Sequence, residues 1–226
     1  MRTKARCSTA VLAAGLLLVS AALGAEPLPP PSGPVEPQVQ ARKGDDGIWH
    51  QSWFQTSFLD LADDHREAKA KGRRFAIIFE QRGCIYCTKM HTEVLARRYI
   101  NDYVRENFSI VQIDLWGSRE VTDFDGRKLP EKALAERWGV LFTPTIVFFK
   151  DDVAGSDAKW GQPLEVARMQ LGIGADTFYD MFVWVRAGLY ERDRNFQRFH
   201  IARMAEREAA AAGEVTPPGT TARPRD

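Results

Sequence analysis

The chain contains the run Phe75-Ala76-Ile77-Ile78-Phe79-Glu80-Gln81-Arg82-Gly83-Cys84-Ile85-Tyr86-Cys87, in which an apolar segment is followed closely by two cysteines. A short apolar run bounded by polar residues is typical of a strand that is buried on both faces. The residues after the run, from about 84 to 106, have the apolar spacing of a helix. The two cysteines therefore lie where a buried strand ends and a helix begins.

Strands and helices alternate on both sides of this junction, which is the pattern of the α/β class. Predicted helices cover 57–71, 130–138, 177–190 and 192–211, and predicted strands cover 74–80, 109–115 and 145–149, with an edge strand within 159–172. The acidic segment 123–126 does not complete a calcium-binding loop, so we expect a solvated turn there.

Both ends of the chain differ in composition from this middle part. Residues 1–25 combine basic residues, an apolar run and small residues, which predicts a secretory signal peptide, with an uncleaved N-terminal anchor as the alternative. The proline content of 26–46 predicts an extended, semi-rigid linker. Residues 206–226 predict a largely disordered tail. One folded domain is thus expected over 47–205.

Charge and cysteine content narrow the classes of function. The 226 residues include 31 basic and 30 acidic side chains, so there is no general basic field to bind nucleic acid. Of three cysteines, Cys7 lies in the expected signal peptide, which leaves Cys84 and Cys87 in the exported protein. Because a disulfide across so short a loop stabilises a fold very little, the pair indicates chemistry.

The spacing of the pair supports thiol–disulfide exchange. Unsatisfied backbone N–H groups at a helix start stabilise a thiolate, which makes Cys84 the expected nucleophile. Cys87 lies one turn further on the same face and is expected to be more shielded. Cys84 would attack a partner's disulfide, and Cys87 would resolve the mixed disulfide. No dissociable cofactor is expected, because the electrons arrive through thiols.

Other uses of the cysteines fit the sequence less well. Covalent haem attachment requires His after the second cysteine, and the chain has Thr88. A hydrolytic nucleophile beside a second cysteine would oxidise readily outside the cytoplasm. Zinc or copper binding stays open as an alternative, since His91 follows Cys87 by four residues, although a complete structural zinc site lacks a fourth ligand. A copper chaperone is an example of such a metal-binding module.

Several motifs together resemble one family. They are Cys84-x-x-Cys87-x-x-Met90, the inserted segment 121–126, Phe142-Thr143-Pro144-Thr145, and Tyr190 with Phe196-Gln197-Arg198-Phe199. Over residues 47–205 the chain resembles the thioredoxin superfamily, and within it the SoxW-type periplasmic thioredoxins of sulfur-oxidation systems.

The resemblance implies a thioredoxin fold. A central mixed sheet would be flanked by helices, with an inserted segment before the helix that precedes a cis-proline and an extra C-terminal helix. It also implies that Pro144 is cis and packs beside the cysteines, and that Thr143 presents its backbone to an extended substrate segment. Tyr86 would add an aromatic face for docking, or else be a packing residue.

The function that the resemblance implies is that of a periplasmic thiol–disulfide oxidoreductase that keeps partner-protein cysteines reduced. The implied partners are a SoxY-like sulfur-carrier protein and a membrane electron donor of the SoxV or CcdA type, and the protein is expected to be a monomer.

The chain also departs from standard thioredoxins. Ile85-Tyr86 replaces Gly-Pro between the cysteines, and Ile78 stands where those proteins have a buried aspartate. Glu80 or Glu93 is then the candidate proton acceptor for Cys87, the alternative being that Glu80 is a surface residue at the strand end and Glu93 a solvated helix residue. Because Thr143-Pro144 also occurs in DsbC-like isomerases, an isomerase or oxidant is the alternative activity.

Overall fold

A four-stranded mixed sheet forms the centre of the protein in the computed structural model, which describes residues 27–153, 160–170, 172 and 174–214. Its strands are β3 (Arg74–Glu80), β4 (Phe108–Asp114), β7 (Thr145–Phe149) and β8 (Glu165–Gln170), in the order β4-β3-β7-β8. β3 is parallel to β4, whereas β7 is antiparallel to both β3 and β8. The predicted bounds of β3 and β7 are correct, and the predicted edge strand is β8.

Alternation along β3 explains its unbroken apolar sequence. Ala76 and Ile78 contribute to one core cluster, and Phe75, Ile77 and Phe79 contribute to the cluster on the opposite face of the sheet. Because successive side chains of a strand point to opposite faces, both faces of this strand need apolar residues. Glu80 has the register of Ala76 and Ile78, so it is directed to their face of the sheet.

Helices cover both faces, which confirms the expected α/β class with a central mixed sheet flanked by helices. One face is covered by α1 (Leu61–Ala70) and α4 (Glu131–Arg137). The other is covered by α2 (Ile85–Lys89), a π-helical turn (Met90–Val94), α3 (Arg98–Asn107) and α5 (Ala175–Arg186). Short 3₁₀ turns cover Gln162–Leu164 and Leu189–Glu191.

The single helix predicted over 84–106 is wrong, because the π-helical turn ends at Val94 and α3 begins only at Arg98. No side chain caps α3. Instead, the backbone N–H groups of Arg98 and Tyr99 donate to the carbonyls of Val35 and Pro34 at 2.9 and 3.1 Å. A distant segment thus satisfies the orphan donors that a helix start exposes.

That segment, residues 27–40, is here called the N-terminal strap. It is extended, as its prolines predict, but it lies against the domain. The Val39 N–H donates to the carbonyl of Ala96, and the guanidinium of Arg203 donates to the carbonyls of Pro29 and Pro30. Part of the expected linker is therefore attached to the folded domain.

Two small hairpins were not predicted. β1 (Arg42–Lys43) pairs with β2 (Trp49–His50), and β5 (Glu120–Thr122) pairs with β6 (Lys128–Pro130). The second hairpin contains the inserted segment 121–126 and the expected turn. The turn is not fully solvated as expected, because Asp123 is buried and its carboxylate accepts from Arg137 and Trp138. Strands of two or three residues carry too little alternation to be recognised in a sequence.

The extra C-terminal helix is α6 (Phe196–Glu214), which extends through residues 206–214 of the expected tail. Arg207 explains part of this extension, since it donates to the buried carboxylate of Asp180 on α5. The expected signal peptide and residues 215–226 lie outside the described residues. In the described part of the chain, no helix has the length and apolar character needed to cross a membrane.

Candidate functional site

The cysteine pair lies at the start of α2, where a three-residue loop leaves β3. Gly83 has a φ of +75°, which residues with a side chain rarely adopt, and it turns the chain into the helix. Cys84 is the N-cap residue of α2, with Cys87 one turn later. The two form a disulfide whose Cα atoms are 5.2 Å apart.

The two sulfurs differ in their surroundings. Cys84 is 9% exposed and Cys87 only 1%. The backbone N–H of Cys87 also donates to Sγ of Cys84 at 3.0 Å, so that sulfur has a hydrogen-bond donor directed at it. A donor of this kind stabilises a thiolate. The arrangement suits a nucleophilic Cys84 and a resolving Cys87.

The segment before β7 carries the other expected binding residues. The peptide bond between Thr143 and Pro144 is cis, and both residues are buried. Oγ1 of Thr143 has no hydrogen-bond partner among the described residues. Pro144 lines a cleft of about 330 Å³ beside α2. Other residues of its wall are Tyr86, Met90, Ile146, Met169 and Phe178.

Tyr86 lies at one side of this cleft and is half exposed. Its ring covers Gly172 so closely that a Cβ atom there would lie 2.4 Å from a ring carbon. A side chain at position 172 would therefore displace the ring. The structure thus brings Tyr86 and Pro144 to one cleft next to the cysteine pair.

The two candidate proton acceptors have opposite environments. Glu93 is exposed at the rim of the cleft, as expected of a solvated helix residue. Glu80 is fully buried, so the interpretation of Glu80 as a surface residue is wrong. The reason is its register in β3, which directs the side chain beneath the turn that follows α2.

Glu80 is part of a buried hydrogen-bond chain. Its Oε1 lies 2.9 Å from Nε2 of His91, and both side chains are fully buried. Nδ1 of His91 lies 3.1 Å from the side-chain amide of Gln51, whose oxygen accepts from Asn101. The indole N–H of Trp53 donates to Asn101 in turn. The sequence analysis did not find this series of hydrogen bonds, because the bonded residues are 11 to 50 positions apart in the sequence.

The hydrogen bonds of His91 bear on the alternative that it binds zinc or copper together with the cysteines. Both of its ring nitrogens have protein partners, one in Glu80 and one in Gln51. The described ranges of the chain also contain no group of three or more His, Cys, Asp or Glu side chains placed to hold a metal ion. The role of His91 as a metal ligand beside the cysteines therefore has no geometric support.

Exposed apolar side chains adjoin the pair and extend the candidate site. Ile85 lies between the cysteines, and Leu141 and Phe142 precede Thr143. The indole of Trp116 donates at 2.5 Å to Gln81, in the loop that leads to Cys84. Large apolar residues in loops were the available signal for Leu141 and Trp116, which the sequence interpretation did not use.

Comparison with known proteins agrees with this geometry. The family described as a thioredoxin-like domain matches residues 61–154, which include the cysteine pair, Thr143 and Pro144. No curated protein matches the chain.

One solved structure has the same fold, and others are similar to parts of the chain. A thioredoxin-fold protein from Helicobacter pylori is 19% identical, with a TM-score of 0.50, over 70% of this chain and 92% of that one. A thioredoxin from Thermus thermophilus is 25% identical over 56% and 83% of the two chains, with a TM-score of 0.42. The DsbH oxidoreductase is 17% identical over 60% and 85%, with a TM-score of 0.40.

Proposed function

We propose that this thiol–disulfide oxidoreductase is a member of the thioredoxin superfamily that acts as a reductant of cysteines in partner proteins. The observation that carries this proposal is the asymmetry of the pair. Cys84 is the more accessible sulfur and has a hydrogen-bond donor directed at it, whereas Cys87 is buried behind it. A nucleophile in front of a resolving thiol is the arrangement that thiol–disulfide exchange requires.

The reaction has two steps. The Cys84 thiolate attacks a partner disulfide, which forms a bond from Cys84 to one partner sulfur and releases the other as a thiolate that takes up a proton. Cys87 then loses its proton and attacks Cys84, which forms the Cys84–Cys87 disulfide and releases the second partner thiol. Two electrons pass from the protein to its partner. A separate dithiol donor must return them.

The proton of Cys87 is assigned to Glu80 in this proposal. Glu80 is buried on the face of the sheet that the turn after α2 covers, whereas Glu93 is exposed to solvent. A buried carboxylate has few competing proton donors around it, and a solvated one exchanges protons with water. Glu80 is therefore better placed to act on a buried thiol.

The surroundings of the pair support a protein as substrate. Exposed Ile85, Phe142 and Trp116 offer apolar area that a small polar disulfide does not need. Thr143, Pro144 and Tyr86 are proposed to shape the groove for an extended segment of that partner.

The cellular setting is proposed from the sequence motifs. The N-terminal pattern supports export to the periplasm, and the SoxW-type motifs support a SoxY-like carrier protein as partner. A membrane protein of the SoxV or CcdA type is the proposed electron donor, and the proposed form is a monomer.

The reduction potential of the Cys84/Cys87 couple tests the direction of electron flow. The protein is equilibrated with defined thiol–disulfide buffers, and the alkylated species are separated by mass. We expect a value near that of thioredoxin, about −270 mV. A value of about −180 to −120 mV would indicate an isomerase or oxidant instead. Failure to form a reversible disulfide would overturn the redox function itself.

A further inference from the structure

His91, the buried partner of Glu80, has no role in the exchange reaction as described so far. Both side chains are fully buried, and Oε1 of Glu80 lies 2.9 Å from Nε2 of His91. Burying two ionisable groups is costly unless each finds partners. We infer that His91 is a positioning residue that holds Glu80 with one carboxylate oxygen free to accept the proton of Cys87. This inference rests on the proposed thiol–disulfide exchange.

The backbone places Glu80 and the helical segment that carries Cys87 and His91 on the same face of the sheet. Glu80 is on the face of the sheet that Met90 and Val94 cover. His91 lies in the π-helical turn that directly continues α2, four residues after Cys87. Residues four apart on a helix lie on the same face, so His91 follows Cys87 on the buried side. The ring therefore connects the helix that carries the thiol to the strand that carries the acid.

The direction of the hydrogen bonds selects one tautomer of His91. Asn101 donates its amide N–H to the side-chain oxygen of Gln51, which leaves the Gln51 amide nitrogen facing Nδ1 of His91. An amide nitrogen only donates, so Nδ1 must accept. The ring proton is then on Nε2, and it is donated to Oε1 of Glu80. Gln51 thus sets the polarity of the contact with Glu80.

Aromatic residues of the N-terminal region hold the ring in this orientation. Trp49 stacks on His91 with ring centroids 6.5 Å apart, and Phe54 contacts it edge-on at 5.9 Å. The indole of Trp49 also donates to the hydroxyl of Thr88 on α2 at 3.0 Å. Since the ring is enclosed and bonded at both nitrogens, it cannot turn to offer its proton elsewhere.

The second carboxylate oxygen of Glu80 is free to accept a proton. Oε2 is buried and has no hydrogen-bond partner among the described residues. His91 occupies Oε1, so Oε2 is the oxygen left to take a proton from the Cys87 thiol. A buried acceptor without a partner is costly in a folded protein and calls for an explanation. Transient protonation during resolution of the mixed disulfide supplies one.

The titratable groups on neighbouring elements are few. Among the described residues they are His91 on the π-helical turn, the Cys87 thiol on α2, and Asp114. Asp114 lies on β4 and is the register partner of Glu80 on β3. Oδ1 of Asp114 accepts the backbone N–H of Trp116. A pH profile of the resolution step therefore has a short set of contributors.

Single-turnover reaction of the reduced protein with 5,5′-dithiobis(2-nitrobenzoate) tests the inference. The coloured thiolate is released once when Cys84 attacks and again when Cys87 resolves, so one trace gives both rates. We expect Glu80→Gln to slow the second release by about a hundredfold. His91→Leu should slow it by about tenfold. Both should leave the first release unchanged and alter the pH profile of the second.

Matched variants separate positioning from folding. Glu106→Gln removes an exposed carboxylate of α3, outside the cleft, and should change neither rate. His91→Gln keeps a side-chain N–H and should recover most of the loss, whereas Gln51→Leu should slow the second release while Glu80 and His91 both remain. Wild-type rates and pH profiles in folded His91→Leu and Gln51→Leu would overturn the inference. Absence of any release from the wild type would instead overturn the proposed function.

Discussion

The backbone N–H of Cys87 lies 3.0 Å from Sγ of Cys84 and donates to it, although Cys87 itself is almost inaccessible. The buried cysteine therefore supports the reactive one in two ways. Its backbone N–H stabilises negative charge on Cys84, and in the proposed reaction its thiol attacks the mixed disulfide that Cys84 forms. Replacing the Cys87 side chain should remove the second contribution and keep the first.

Substitution of Cys84 and substitution of Cys87 should accordingly have different effects on the reaction. Cys87→Ser should accumulate a mixed disulfide with a disulfide substrate, because attack proceeds and resolution does not. Cys84→Ser should form no mixed disulfide at all. In the reduced wild type, we expect Cys84 to be alkylated about tenfold faster than Cys87, since the thiolate reacts and Cys84 is the more accessible of the two residues. Mass spectrometry of alkylated peptides measures this, and equal rates would contradict the assignment.

Asp180 should be one of the residues most sensitive to substitution outside the site. Its fully buried carboxylate accepts from His200, Arg203 and Arg207, which attaches α6 to α5. Asp180→Asn would remove the fully buried negative charge that Arg203 and Arg207 both contact, so we expect a loss of about 3–5 kcal/mol in the free energy of unfolding. Urea unfolding followed by circular dichroism gives the value.

A solvent-accessible ion pair at the start of α6 provides the comparison for Asp180. Arg198 pairs with Asp193, and neither side chain is buried. Asp193→Asn should change the free energy of unfolding by less than about 1 kcal/mol. Similar losses in the two variants would show that the network at Asp180 does not anchor α6.

Asp64 should make the stability of the protein depend on pH. Burial raises the pKa of this carboxyl from 3.8 to about 6, against the opposing effect of hydrogen bonds from Ser57 and Gln55. The folded state therefore binds the proton more tightly than the unfolded chain. The resulting stabilisation is present below pH 3.8 and is lost as the pH rises through about 6.

The comparison of wild type with Asp64→Asn tests this dependence. The free energy of unfolding of the wild type, relative to that of the variant, should fall between pH 4 and pH 7.5. Asp63→Asn makes the same change at an exposed position of α1 and should keep the wild-type pH slope. A constant difference between wild type and Asp64→Asn across this range would contradict the prediction.

Removal of residues 27–37 of the N-terminal strap should loosen the start of α3. The carbonyls of Pro34 and Val35 act as the cap that this helix lacks, and loss of a cap costs about 1 kcal/mol. We expect faster hydrogen exchange at the amides of Arg98 and Tyr99. The amide of Ile77, inside the sheet, is the internal reference, and unchanged exchange at Arg98 would show that the strap does not cap the helix.

The local sequence pattern was sufficient to predict an element whose own packing determines which residues it contains. β3 and β7 have the predicted bounds, because a strand covered on both faces must be apolar throughout and its polar neighbours mark its ends. The position of the cysteines at the start of a helix follows in the same way. The continuous helix over 84–106 was wrong because its interruption depends on the strap, some 60 residues earlier in the chain.

The candidate site likewise has features that the sequence predicts and features that only the tertiary structure decides. The sequence by itself determined the α/β class and the cysteine pair, and it predicts the division of roles between Cys84 and Cys87, since spacing and local order carry that information. Only the tertiary structure decided that Glu80 is buried, that His91 bonds to it, and that Gln51 orients the ring. Burial and hydrogen-bond partners depend on which distant segments meet, and no local pattern records such meetings.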